Sequence, residues 1–157
     1  MSITPTRAAA WTVALLAITL VLVSGASAAR KLLVSTAHNA RLNATVLVNA
    51  NGRTLYDLSV ERRGRFICSN RTCLSLWHPL VVPKGAKPFG RVPLGTVRRP
   101  DGRTQVTYKG APLYTFVQDA RRGDVKGEGF KDVGVWHATT VGAKAAPASK
   151  PSPGGYG

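Results

Sequence analysis

Short segments of the chain alternate between apolar and polar residues, which is the pattern of half-buried β-strands. The clearest signal is a hairpin signature in which the turn-forming dipeptide Asn51-Gly52 separates two such segments. Further along, Pro100-Asp101-Gly102 and Lys109-Gly110 divide three segments into a predicted meander. The predicted strands are 32–35, 45–48, 53–58, 94–98, 104–108, 112–117 and 134–141. The pattern predicts an all-β domain, a small antiparallel sheet or sandwich of about seven strands.

Helix has little room in this chain. Most connecting segments contain Gly or Pro, and no long run has apolar residues three and four apart. One short helical turn is predicted, capped by Thr72, running through Leu74 and Leu76 and ending before Pro79. We therefore expect at most one short helix.

The same pattern occurs twice. Four pairs of residues are 58 positions apart, and a Trp-His dipeptide recurs at 59. The pairs are Leu55 and Leu113, Tyr56 and Tyr114, Leu58 and Phe116, Glu61 and Asp119, and Trp77-His78 and Trp136-His137. This spacing predicts two pseudo-repeats, at about 45–80 and 103–138, that pack as a pseudo-symmetric pair.

Alternation along a strand assigns faces to the repeated residues. Tyr114 and Phe116 lie on one face and Leu113 on the other, and Tyr56 and Leu58 follow the same rule in the first repeat. An aromatic pair spaced by two suits a buried sheet face, because each ring removes a large apolar area from water. We expect these tyrosines in the core rather than on a ligand-stacking surface.

Two acids follow the repeated strands. Glu61 and Asp119 each stand where the chain enters a basic, Gly-containing loop, and a carboxylate there can hold a turn by accepting backbone N–H bonds. The alternative is a hydrolase in which Asp119 and Glu61 form a pair of catalytic acids, as glycosidases require. No other polar constellation supports catalysis, so we expect a non-enzymatic protein.

The two histidines of the repeated dipeptide offer another alternative. His78 and His137 could converge on a metal ion or a haem iron. Because each follows a tryptophan on a strand, the simpler interpretation is that the tryptophan is buried and the histidine projects to the opposite face. Two histidines without a third ligand are a weak metal signal, and we expect no cofactor.

The N-terminal residues predict export. Arg7 precedes an uncharged run at 8–23, and Ala26 and Ala28 then form a cleavage signal, so residues 1–28 are interpreted as a secretory signal. The alternative is a retained anchor, although 16 residues fall short of the roughly 20 that a spanning helix needs. No cysteine stands directly after the run, where a lipid would be attached, so we expect no lipidation at a mature N-terminus. We expect an extracytoplasmic or cell-envelope location.

In an exported chain the two cysteines, Cys68 and Cys73, are expected to form a disulfide. A redox pair is the alternative, but its usual spacing is C-x-x-C. The Ala-, Pro- and Gly-rich segment 142–157 is predicted to be a disordered tail, which leaves 29–141 as the folded domain.

At this point the residues resemble a known group. Tyr-Thr-Phe-Val-Gln-Asp at 114–119 resembles the Y-x-[FWY]-x-x-D motif of bacterial secreted-repeat proteins, predicted lipoproteins of unknown function. The short Cys loop running into W-x-P-L at 77–80, the segment R-P-D-G-R-T-Q-V-T-Y-K-G at 99–110 and G-V-W-H at 134–137 are also similar. The first copy departs from the motif at Leu58 and Glu61. The resemblance implies a secreted repeat and no particular activity.

Charge supplies the remaining functional signal. The chain carries 22 basic and seven acidic residues, a formal net charge of +15, of which +14 remains after residue 28. The basic residues that we expect to be solvated in loops are Arg62, Arg63, Arg65, Arg98, Arg99, Arg103, Arg121, Arg122 and Lys126. Such a surface attracts anionic cell-wall polymers or a membrane surface, while no motif predicts specific nucleic-acid recognition. The sequence thus favours a non-catalytic binding or scaffolding module of the cell envelope.

Overall fold

The computed structural model describes Met1 and residues 32–142. The predicted signal, apart from Met1, and the predicted tail after residue 142 lie outside the described residues. Between residues 32 and 142 the chain forms ten strands and one short helix. The elements are β1 Val34–Asn39, β2 Ala44–Asn49, β3 Tyr56–Leu58, α1 Arg71–Leu76, β4 Trp77–Pro79, β5 Val81–Val82, β6 Leu94–Arg98, β7 Thr104–Tyr108, β8 Ala111–Pro112, β9 Tyr114–Phe116 and β10 Trp136–Ala138. The predicted all-β class with at most one short helix is confirmed.

The strands form three antiparallel sheets. A hairpin of β1 and β2 makes the first, the order β10-β3-β9-β4 makes the second, and the order β5-β7-β6 with β8 against β7 makes the third. The predicted meander is confirmed, since β6 pairs with β7 and β7 with β8. The three additional strands β4, β5 and β8 are only two or three residues long, too short for an alternating pattern to reveal.

The turn dipeptides behave as their chemistry requires. Lys109 and Gly110 both have positive φ, 49° and 79°, which is the geometry of a tight two-residue hairpin loop. Gly52 has a φ of 78°, and the amide of Asn49 donates to the Arg53 carbonyl at 2.9 Å to close that turn. Strand β2 makes its long ladder with β1, however, and contacts the chain after Gly52 through a single bridge between Val48 and Thr54.

The cap of helix α1 differs from the prediction. Asn70, not Thr72, is the N-cap, and its side chain accepts a hydrogen bond from the Cys73 amide at 2.9 Å. Asparagine is a strong N-cap residue because its short side chain reaches the free amides of the first turn. The helix ends at Leu76, and Trp77 already has extended backbone angles.

The domain has two hydrophobic cores, one on each face of the central sheet. Tyr56, Tyr114 and their neighbours Leu58 and Phe116 belong to the first core, whereas Leu55 and Leu113 belong to the second. The predicted division of faces is therefore confirmed. The described residues include no helix long and apolar enough to cross a bilayer.

Candidate functional site

The two repeated tyrosine strands are neighbours at the centre of the domain. Strands β3 and β9 are antiparallel, and Tyr56 lies directly opposite Tyr114. Because these residues are equivalent in the two repeats, the pair marks a local twofold axis. The tryptophan strands complete the sheet crosswise, since β4 of the first repeat pairs with β9 and β10 of the second pairs with β3. Each repeat thus finishes the sheet of the other.

The symmetry extends to the backbone hydrogen bonds around the axis. The Leu80 amide donates to the Leu113 carbonyl at 2.9 Å, and the equivalent Thr139 amide donates to the Leu55 carbonyl at 2.8 Å. Strands β2 and β7 are related in the same way. The Leu47 amide donates to the Thr139 carbonyl, and the equivalent Val106 amide donates to the Leu80 carbonyl, both at 2.8 Å. Two structural units, β1–β5 and β6–β10, are therefore built alike.

Each tyrosine reaches the acid of the opposite repeat. The Tyr56 hydroxyl donates to Asp119 Oδ2 at 2.6 Å, and the Tyr114 hydroxyl donates to Glu61 Oε2 at 2.8 Å. All four side chains are fully buried. We call these two tyrosine–carboxylate hydrogen bonds the crossed pairs. They join the repeats through the first core.

The remaining carboxylate oxygens hold the loops that follow. Glu61 Oε1 accepts the amides of Ile67 and Cys68, both at 2.6 Å, and Asp119 Oδ1 accepts the Lys126 amide at 3.0 Å. This is the turn-holding role expected of a carboxylate at a loop entry. The geometry does not favour the hydrolase alternative, because both acids are closed off from water and bonded on both oxygens.

Burial sets the protonation of the tyrosines. It raises the pKa of Tyr56 well above the ordinary value, and the hydrogen bond and charge of Asp119 raise it further. Burial and then the charge of Glu61 raise the pKa of Tyr114, while Arg99 opposes them. Burial also raises the pKa of Glu61, against the lowering effect of the Cys68 and Ile67 amides. Both tyrosines are therefore fixed hydrogen-bond donors at neutral pH.

Stacked indoles fill the space beside the crossed pairs. The rings of Trp77 and Trp136 are 3.8 Å apart and within 7° of parallel, although their strands are the two edges of the four-stranded sheet. The sheet must therefore curl so that its edges approach on this face. Each tyrosine meets one indole edge-on, Tyr56 with Trp77 at 5.4 Å and Tyr114 with Trp136 at 5.1 Å.

A second repeated feature lies on the surface and was missed by the sequence reasoning. The tripeptide Arg-Arg-Gly occurs at 62–64 and again at 121–123, a spacing of 59, because Ala120 lengthens the second copy by one residue. Gly64 and Gly123 have φ values of 85° and 82°, which glycine adopts without strain. The signal was present in the sequence, since the Trp-His dipeptide recurs at the same spacing of 59. We call these segments the basic turns.

Each basic turn packs on the hairpin turn of the opposite repeat. The Arg63 amide donates to the Gly110 carbonyl at 3.1 Å. Arg122, the equivalent of Arg63, lies over Gly52 so closely that a β-carbon there would be 2.6 Å from its Nη1. Arg63 and Arg122 are both exposed, so each turn presents cations to solvent at equivalent positions.

Residues 95–140 match a family described as a secreted repeat of unknown function. The match runs from β6 to just past β10, which is the second structural unit, and it confirms the expected resemblance for that unit. The family description supports an extracytoplasmic protein. No curated protein and no solved structure matches the chain.

The second unit differs from the first in the loop that leads to its tryptophan. In the first unit Cys68 and Cys73 form the expected disulfide, with their Cα atoms 5.4 Å apart. The position equivalent to Cys68 is Gly127, where a β-carbon would be only 2.6 Å from the Trp77 ring. The covalent link on one side thus corresponds to a close backbone approach on the other.

Arg99 corrects an expectation, because it was expected to be solvated and is only 2% exposed. Its guanidinium donates to Gln105 Oε1 at 2.5 Å, to the Tyr114 hydroxyl at 3.0 Å and to the Cys68 carbonyl at 2.6 Å. A buried cation close to Glu61 offsets the cost of burying that carboxylate. Arg99 is therefore part of the core and does not meet a partner.

The other predicted basic residues divide into two groups. Arg62 is half-buried and pairs with Asp57 at 3.1 Å, and Arg103 pairs with Asp101 at 2.7 Å. Lys126 lies 3.8 Å from Asp124. Of these predicted residues, those that are exposed and form no ion pair with a described residue are Arg63, Arg65, Arg98, Arg121 and Arg122.

The histidines of the repeat are not brought together on the indole face. His78 and His137 are exposed and lie on opposite edge strands, each facing away from the stacked tryptophans. Curling that brings the indoles together on one face separates side chains on the other. His137 Nδ1 lies 2.9 Å from Glu128 Oε1, and residues 32–142 hold no group of three side chains suited to a metal ion.

Proposed function

We propose that this protein is a non-catalytic secreted β-domain of the cell envelope that binds an anionic wall polymer through its two basic turns. The observation that carries the proposal is the repetition of the turns: the same Arg-Arg-Gly segment, whose second arginine is exposed in both copies, stands at equivalent positions in both units. The crossed pairs supply the rigid body on which the turns are held.

The charge distribution supports this function. Residues 32–142 contain 17 basic and seven acidic residues. Two of the acids, Glu61 and Asp119, are fully buried, and four more are paired with Arg or Lys side chains or with His137. The field at the surface is therefore dominated by exposed arginine and lysine, which draws in polyanions at low salt.

The placement of the turns also suits a polymer. Strands β3 and β9 run in opposite directions from the axis, so the turns that follow them lie toward opposite ends of the domain. Two separated cationic contacts favour a long anionic chain over a small anion, because a second contact made by the same polymer is effectively intramolecular.

Binding to a purified poly(glycerol phosphate) tests the proposal. The exported protein is expected to bind with an affinity that falls as salt rises, because exposed charges are screened. The double variant R63Q/R122Q, which removes one cation from each turn, is expected to weaken binding about tenfold, or roughly 0.7 kcal/mol per charge.

The matched control is R41Q/R71Q, which removes the same charge from exposed positions outside the turns. If R41Q/R71Q lost as much affinity for the polymer as R63Q/R122Q, binding would depend on the net charge of the protein and not on the basic turns. Undetectable or salt-insensitive retention would contradict polymer binding. If R63Q/R122Q lost binding to anionic vesicles but kept binding to the polymer, the turns would be reassigned to a membrane surface.

A further inference from the structure

A separate surface lies on the segment that joins the two units. Residues 83–93 read P-K-G-A-K-P-F-G-R-V-P, and the side chain of Phe89 is 44% exposed between Lys87 and Arg91. Lys84, Lys87 and Arg91 are all exposed, and none forms an ion pair with a described residue. We call this segment the linker loop.

Phe89 is exposed although its backbone is fixed. Its carbonyl accepts the Leu33 amide at 2.8 Å, and the Arg91 amide donates to the Val34 carbonyl at 3.1 Å. Gly90 bridges to Val34 so closely that a β-carbon there would be 2.8 Å from the Val34 carbonyl oxygen. Hydrogen bonds on both sides of Phe89 thus fix the main chain at a residue whose large apolar side chain is exposed.

The sequence on both sides of the linker loop contains no acidic residue. Residues 62–100 contain nine Lys and Arg residues and no Asp or Glu. An aromatic ring among uncompensated cations matches the interface of an anionic bilayer, where the ring enters the acyl boundary and the cations meet the head groups. A soluble phosphate polymer would engage the cations and leave the ring in water.

The position of the loop favours the same partner. Its contact with Leu33 places it beside the point where the chain enters the domain. Arg30 and Lys31, which follow the predicted signal, stand three and two residues before Leu33, so two further cations precede this contact in the chain. We propose that the linker loop docks the domain on an anionic membrane surface, with Phe89 entering the interface and Lys84, Lys87 and Arg91 binding lipid phosphates.

The experiment measures flotation of the exported protein with vesicles of phosphatidylglycerol and phosphatidylcholine, and with phosphatidylcholine vesicles alone. We expect co-flotation with the anionic vesicles only. Phe89→Ser is expected to lower the partition coefficient about tenfold, and K84Q/K87Q/R91Q about a hundredfold. R63Q/R121Q/R122Q, which removes equal charge from the basic turns, is expected to have a clearly smaller effect.

Insertion itself is read from Phe89→Trp, after subtraction of the wild-type emission. A blue shift on anionic vesicles is expected. Unshifted emission on vesicles that carry the protein, or an unchanged partition of Phe89→Ser, would overturn the proposal. So would the absence of wild-type flotation, or a loss of poly(glycerol phosphate) binding by K84Q/K87Q/R91Q without a loss of vesicle binding. The two proposals can fail separately, because the two surfaces share no residue. If the basic-turn variants bind the polymer like the wild type, the vesicle results still test the linker loop.

Discussion

Removal of one tyrosine hydroxyl in the crossed pairs should weaken the contact between the two repeats. In Tyr56→Phe the ring and its packing on Trp77 remain, but Asp119 Oδ2 loses a donor at 2.6 Å in a fully buried position. A buried hydrogen bond to a carboxylate contributes about 1.5–3 kcal/mol to the free energy of unfolding. We therefore expect Tyr56→Phe to lower that free energy by about 2 kcal/mol.

The assay is equilibrium urea unfolding of the exported protein, followed by the fluorescence of the stacked indoles. Tyr108→Phe is the matched control, because Tyr108 is also buried and its hydroxyl makes no described hydrogen bond. It should cost clearly less than Tyr56→Phe. The Tyr56 hydroxyl also accepts the Gly127 amide at 3.4 Å. The two variants remove the same atom, so the difference between them measures the hydrogen bonds of the Tyr56 hydroxyl.

A double-mutant cycle then identifies the partner. Tyr56→Phe combined with Asp119→Asn should show a coupling of about 1–3 kcal/mol, since the two side chains share a hydrogen bond. Tyr56→Phe combined with Glu61→Gln, the acid of its own repeat, should show a clearly smaller coupling. Equal couplings, or a larger one with Glu61, would refute the crossed arrangement.

Three further predictions concern stability. Burial raises the pKa of both core tyrosines, so their contribution to the free energy of unfolding is complete below a pH of about 10, where unfolded tyrosine ionises. Above that pH the contribution is lost at up to about 1.4 kcal/mol per pH unit for each ring. A urea midpoint that does not fall between about pH 10 and pH 11 would contradict this. Gly127→Ala should cost about 1–3 kcal/mol and shift the emission of Trp77, because the added methyl overlaps its ring; wild-type stability would show that the loop yields. Arg99→Gln should cost about 3–5 kcal/mol at neutral pH. Because burial raises the pKa of Glu61, the cost should shrink as the pH falls and Glu61 takes up a proton; thermal melts from neutral to acidic pH measure this, and a pH-independent loss would refute the role as counter-charge.

Much of the fold could be predicted because strands carry local signals. Alternation of apolar residues and the turn dipeptides placed the long strands, and the same alternation assigned Tyr114 and Leu113 to opposite cores. The cysteine spacing in an exported chain predicted the disulfide. These features depend on residues close together in sequence, so the sequence alone was sufficient.

The partners across the domain could not be predicted. A spacing of 58 shows that Tyr56 and Tyr114 are equivalent but not that each contacts the acid of the other repeat, which depends on the strand order β10-β3-β9-β4. Arg99 was expected on the surface because it lies in a predicted loop, whereas its guanidinium is buried and bonded to Gln105, Tyr114 and the Cys68 carbonyl. Both depend on contacts between residues far apart in sequence.

The two units share their geometry in the core, and we propose that binding lies on the basic turns. The most direct measurement compares the affinity for poly(glycerol phosphate) of two folded variants, Tyr114→Phe and R63Q/R122Q. The account predicts that Tyr114→Phe loses stability but binds like the wild type, whereas R63Q/R122Q keeps its stability and binds about tenfold more weakly. Weakened binding by folded Tyr114→Phe, together with unchanged binding by R63Q/R122Q, would contradict it.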